Sequence, residues 1–167
     1  MSRLISIIVG FFVVLSTSLI FAASAFAAIG IENNHLAPCP SSPNCVVSQR
    51  LLRATSTEPA LTVGQDGDEE HSIEPIAYRG DRTTAKETLL KVLSVVPRTE
   101  VIEDTGNYIH TESTSRIFKF VDDVEFYFPE GENTIQVRSA SRVGESDLGV
   151  NRRRIEQIRL AMEDLGA

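Results

Sequence analysis

The chain has 167 residues, room for one domain and no second core at roughly 100–200 residues per domain. With 42% apolar and 23% charged residues, two Cys and three His, it is neither a cysteine-dense mini-protein nor a multi-ligand metal protein. Lys+Arg 16 against Asp+Glu 23 gives a net charge of −7, so the basic surface that a nucleic-acid partner requires is not expected.

Residues 1–27 stand apart. Arg3 is their only charged residue, Leu4 to Phe21 is almost wholly apolar, and small residues end in Ala25-Phe26-Ala27-Ala28. That order of basic, apolar and A-x-A regions is the order of a secretory signal peptide. The apolar run also reaches the spanning threshold of ~17–25 residues, so an uncleaved anchor is the alternative. Both readings carry the remaining chain across a membrane.

Residues 28–70 read as an irregular segment, because Pro38, Pro40, Pro43 and Pro59 interrupt regular elements. The segment holds Cys39 and Cys45, and an oxidising compartment favours their pairing as a disulfide. A metal site with His71 or His110 competes, but it lacks the paired ligand spacing of zinc sites. Gln65-Asp66-Gly67-Asp68-Glu69-Glu70 reads as a solvated loop. It lacks the later ligands and closing Glu of a calcium loop. No metal and no cofactor is expected.

Residues 71–167 read as an α+β domain. Ile73 to Tyr78 is a short strand, with Pro75 placing it at an edge. Thr83 or Thr84 caps a helix that ends before Pro97, and Ala85, Leu89, Val92, Leu93 and Val96 share one face. Thr99 to Asp104 and Tyr108 to Ser115 are strands joined at Thr105-Gly106-Asn107. Ile117 to Phe128 is the strongest strand signal. It holds Phe118, Phe120, Phe126 and Phe128 and is expected to carry the core. Thr134 to Arg142 follows as a strand. Asn151 caps a last helix ending at Gly166, with Ile155, Ile158, Met162 and Leu165 as its buried stripe. The expected architecture is a two-layer domain: a mainly antiparallel sheet with two amphipathic helices on one face.

One cluster breaks the pattern. Five arginines, Arg138, Arg142, Arg152, Arg153 and Arg154, fall within 17 residues of an acidic chain. Three of them sit at a helix start, where a cation opposes the macrodipole by ~0.3–1 kcal/mol. Something negative is expected nearby. It is either internal (Asp122, Asp123, Glu125 or Asp147) or a small anion or anionic headgroup held by Arg forks and free helix N–H groups. Strand alternation puts Arg138 and Ala140 on one face and Ser139 and Ser141 on the other. Asp122 and Asp123 likewise point apart, and one is expected to turn inward to meet an arginine. His71 and His110 are isolated and read as structural or exposed.

Cys39-Pro40-Ser41-Ser42-Pro43-Asn44-Cys45-Val46 resembles the opening signature of the family of domain of unknown function 1499. The strings Phe120–Phe126, Arg138–Gly144 and Ser146–Arg152 resemble its later motifs, in order, so the resemblance spans about residues 36–165. It implies an exported or membrane-attached protein of bacterial, cyanobacterial or plastid type, in the periplasm or thylakoid lumen. No activity or catalytic residue comes with it. It does raise the standing of Asn44, which falls inside its motifs, and of Asp122, Asp123, Arg138, Ser141, Arg142, Asp147, Asn151 and Arg152, the ligand-binding candidates. The leading expectation is a non-enzymatic binding or accessory domain with an anion-binding or structural arginine cluster. The alternatives are a docking factor of a membrane or photosynthetic complex, and a hydrolase using Asp122 or Asp123 with Arg138 and Arg142.

Overall fold

The computed structural model describes residues 28–48 and 70–167. The expected leader, residues 1–27, and nearly all of the Gln65–Glu70 loop lie outside the described residues. In chain order the elements are β1 (Ile31–Glu32), β2 (His35–Leu36), β3 (Cys45–Val47), β4 (Ile76–Ala77), α1 (Arg82–Val95), β5 (Thr99–Asp104), β6 (Tyr108–Thr114), β7 (Val121–Tyr127), β8 (Thr134–Ser141) and α2 (Val150–Asp164). The fold class is α+β, with a sheet ordered β3-β8-β7-β6-β5 and antiparallel throughout. The short β4 pairs with the other end of β8, so β3 and β4 share one edge of that strand.

Period-two alternation sorts the sheet into two faces. Val46, Ile109, Val124, Phe126, Phe128, Ile135 and Val137 point to the helix side. There they join Ala85, Leu89, Val92 and Leu93 of α1 and Ile155, Ile158 and Met162 of α2 in one buried cluster. The opposite face is also covered. Leu36 packs with Tyr108 and Tyr127, while Cys39, Cys45 and Val47 pack with Ala140. Residues 28–44 therefore lie across this face as a strap, tied to the edge strand β3 by the Cys39–Cys45 disulfide.

Several local expectations change, and the expected strand Ile73 to Tyr78 shortens to Ile76–Ala77. The segment read as irregular supplies β3, because prolines 38, 40 and 43 precede Cys45–Val47 and leave it free to pair. The expected long strand from Ile117 shortens to Val121–Tyr127. Lys119 adopts φ +57° and Ser115 closes a loop on Phe120, through Ser115 N to Phe120 O at 2.8 Å and Phe120 N to Ser115 Oγ at 2.9 Å. Phe126 and Phe128 are core residues, whereas Phe118 and Phe120 are exposed. The α1 cap is Asp81, whose Oδ1 accepts from Thr84 N at 2.9 Å, displacing the threonines. At α2 the cap position is Gly149, at φ +75°, where a left-handed backbone favours glycine.

The C-terminus of α2 ends as its glycine implies. Gly166 N donates to Glu163 O and Ala167 N to Met162 O, the paired bonds of a Schellman closure. Leu165 is left exposed instead of completing the buried stripe, since the chain turns away there.

Candidate functional site

Buried charge concentrates where β6, β7 and β8 run side by side. On the strap face, Glu125 stands directly across from Arg138, and Arg138 Nη1 donates to Glu125 Oε2 at 2.7 Å. Both side chains are fully buried. Glu125 Oε1 accepts from Tyr108 Oη at 2.8 Å and from Gly30 N at 2.7 Å, so the strap backbone is hydrogen-bonded to the pair. Burial, then the Glu125 charge beside it, pushes the Tyr108 hydroxyl above its ordinary range, so it stays protonated and donates.

The next polar step on the same face is Asp123. It stands opposite Glu112, and two facing carboxylates repel. Arg142 resolves this by bridging them. Its Nε and Nη2 reach Asp123 Oδ2 and Oδ1 at 2.9 and 2.7 Å, and Nη2 also bonds Glu112. His110 Nε2 lies 2.8 Å from Asp123 Oδ1. Burial raises the Asp123 pKa, but the hydrogen bonds from His110 and Arg142 outweigh it and hold the carboxyl at about 2. The bond from Asp123 in turn raises Arg142.

Asp122 faces the helices instead. Arg154 Nη2 donates to Asp122 Oδ2 at 2.5 Å. Arg154 Nη1 donates to Ser139 Oγ at 3.0 Å and also bonds Asn151. Asn151 is not the helix cap but a buried strut. Its Oδ1 accepts from Ser139 Oγ at 2.6 Å, and its Nδ2 donates to Asn44 O at 2.9 Å and Ser141 Oγ at 3.1 Å. It thus joins α2, β8 and the end of the disulfide loop. The capping work falls to Asp147, which accepts from Gly149 N at 2.8 Å and Asn151 N at 2.6 Å. A carboxylate there complements the helix N-terminus, offsetting the three arginines that follow.

The candidate residues therefore divide into three groups. Asp123, Arg138 and Arg142 lie on the strap face. Asp122, Ser141 and Asn151 lie on the helix face. Asp147 and Arg152 line a surface cleft of about 280 Å³ with Pro43, Cys45, Val46, Glu70, Ser146 and Gly149. Arg152 Nη2 donates to Glu70 O at 3.1 Å. Both aspartates meet an arginine where one was expected to, and they do so on opposite faces. His110, read as isolated, is buried against Asp123. Tyr108 and Glu112 were not singled out. Their signal is the polar alternation Tyr108, His110, Glu112 along β6, which faces the alternation Glu125, Asp123 along β7. Among the described residues no group of three or more His, Cys, Asp or Glu is placed to hold a metal ion.

Fold and site together define a class: an α+β domain whose sheet carries helices on one face, a disulfide-tied strap on the other, and arginine–carboxylate pairs buried under both. The model of the family described as Protein of unknown function (DUF1499) matches residues 35–162, from β2 into the last turns of α2. The chain belongs to that family. Comparison with curated proteins and with solved structures finds no match.

Proposed function

We propose that the chain is an exported, non-enzymatic accessory domain working at a membrane boundary, and that its arginine cluster is a structural ion-pair network. The observation that carries this reading is the pairing of Arg138, Arg142 and Arg154 with Glu125, Asp123 and Asp122 of β7. An arginine neutralised by an internal carboxylate has little charge left for an outside anion. A carboxylate held near pKa 2 is a poor general base at neutral pH. Position further weakens the hydrolase reading for Asp122, which lies on the opposite face from Arg138 and Arg142. Export rests on the signal-like residues 1–27 and on the Cys39–Cys45 disulfide, which suits a periplasmic or thylakoid-lumen compartment.

A second reading has one specific observation in its favour. Arg138 Nε and Nη2 are buried and have no hydrogen-bond partner. These two nitrogens form the side-on fork that grips a carboxylate or phosphate, so a small anion at Arg138 is the alternative.

Native mass spectrometry of the chain purified from its own cells without reductant tests both. The expected species lacks residues 1–27 or retains them as an anchor, has lost two hydrogens to the disulfide, and carries no small molecule. Free thiols on an uncut chain contradict export. Extra mass that leaves on denaturation, and that is lost in Arg138→Lys, transfers the assignment to the anion reading.

A further inference from the structure

The loop between β6 and β7 is built against the grain of an acidic, water-exposed surface. Ile117 is 77% exposed, Phe118 72% and Phe120 50%. The two phenylalanine rings stack on each other at 5.5 Å, and neither belongs to a buried cluster among the described residues. Single exposed apolar residues are ordinary, but three large ones on one tip, gathered by the Ser115–Phe120 closure, form a contact surface. Val143 is also exposed, and the bond from Arg142 N to Val121 O at 3.1 Å brings its segment alongside the loop base.

The charges within the loop are cationic, against the sign of the whole chain. Arg116 and Lys119 are exposed within the loop, and residues 115–120 contain no acid. Arg98, also exposed, donates from Nε to Thr114 O at 3.0 Å and adds a third cation at the base. Of the nearby acids, Glu112 and Asp122 are held by Arg142 and Arg154, while Glu100, across from Glu112 on β5, is exposed. Apolar side chains at a tip that also carries Arg116 and Lys119 match an anionic lipid bilayer, with rings at the acyl boundary and cations among the headgroups.

We propose that the Ile117–Phe120 loop is a membrane-contact site that inserts its apolar side chains into an anionic bilayer. The site deepens the membrane-boundary reading above. Its test in vitro is independent of whether the chain is exported, so the two can fail separately.

The chain has no Trp, so Phe118→Trp in the full chain places a single tryptophan at the tip, excited apart from the three tyrosines at the red edge of the absorption band. The matched control is Leu160→Trp, exposed on α2. It belongs to the opposite end of β8, where Arg159 Nη1 bonds Pro75 O at 2.6 Å beside β4. Both proteins are mixed with phosphatidylcholine vesicles, with and without 30% (about one lipid in three) phosphatidylglycerol. The expected result is a blue shift and quenching by brominated acyl chains for Phe118→Trp on the anionic vesicles, with the Leu160→Trp signal unchanged. Adding Arg116→Glu and Lys119→Glu weakens partitioning of the tip by about tenfold or more, as two cations near the surface would. An unshifted Phe118→Trp signal in a protein with wild-type circular dichroism overturns the proposal. So does an equal shift on uncharged vesicles, and so does a shift that appears only with a membrane-protein extract, which assigns the tip to a protein partner.

Discussion

The two faces of β7 and β8 solve the same problem of burial by opposite means. On the helix face, Val124, Phe126, Ile135 and Val137 are buried by apolar neighbours from α1 and α2. On the strap face, the intervening residues Asp123, Glu125 and Arg138 are just as buried but are polar, and each is bonded to another charged side chain. The helix face gains stability from area and packing, to which any well-shaped apolar side chain contributes. The strap face gains little net energy from its charges, since desolvation offsets attraction, but it penalises any arrangement that leaves one unpaired. A disulfide-tied strap suits that second regime. It holds in place a cover whose grip depends on matching specific partners, such as Gly30 N on Glu125.

The contrast breaks first at Phe126. Truncating it to Ala empties the centre of the helix face and is expected to cost about 3–5 kcal/mol in urea unfolding. A comparable loss from truncating Tyr127 to Ala, on the other face, would mean that volume governs both sides.

The next effect sharpens the polar side. The Asp123 carboxyl sits at about 2 when folded against an ordinary 3.8. A depressed pKa adds stability that is complete above the unfolded value and is lost as pH falls through the folded one. The shift corresponds to about 2 kcal/mol, fading between pH 4 and pH 2. Asp123→Asn should remove that part of the acid-unfolding limb and lower neutral stability by a similar amount. An unchanged limb would place the acid sensitivity in other carboxylates.

Smallest is the cap. Asp147→Ala removes the acceptor for Gly149 N and Asn151 N and is expected to cost about 1 kcal/mol, with frayed exchange of the first-turn amides of α2.

The sequence exposed the helix face well because its signals are periodic. The stripes of α1 and α2, the β5–β6 hairpin and the two faces of β8 follow directly from spacing. Alternation also separated Ser139 and Ser141 from Arg138, as the structure has them. Pairing was less legible. Which arginine meets which carboxylate depends on the β6–β7–β8 register, and composition does not encode it. The β7 start was obscured because Phe118-Lys119-Phe120 alternates as a strand would, while Lys119 turns left-handed and takes the pattern out of the sheet. The Asn151 strut was hidden for a related reason. Asn favours helix caps, and only the contacts with Asn44, Ser139 and Ser141 show that its side chain is used in tertiary contacts.

The central claim, that the buried arginines are partners in a structural network, is tested most directly by a double-mutant cycle on Arg138 and Glu125. Arg138→Met and Glu125→Gln alone should each lower unfolding free energy by about 3–5 kcal/mol, because each strands a buried charge. The double variant should recover most of that loss, giving a large favourable coupling. Losses that simply add, or an Arg138→Met chain as stable as the parent, would contradict the network and leave Arg138 to an external ligand.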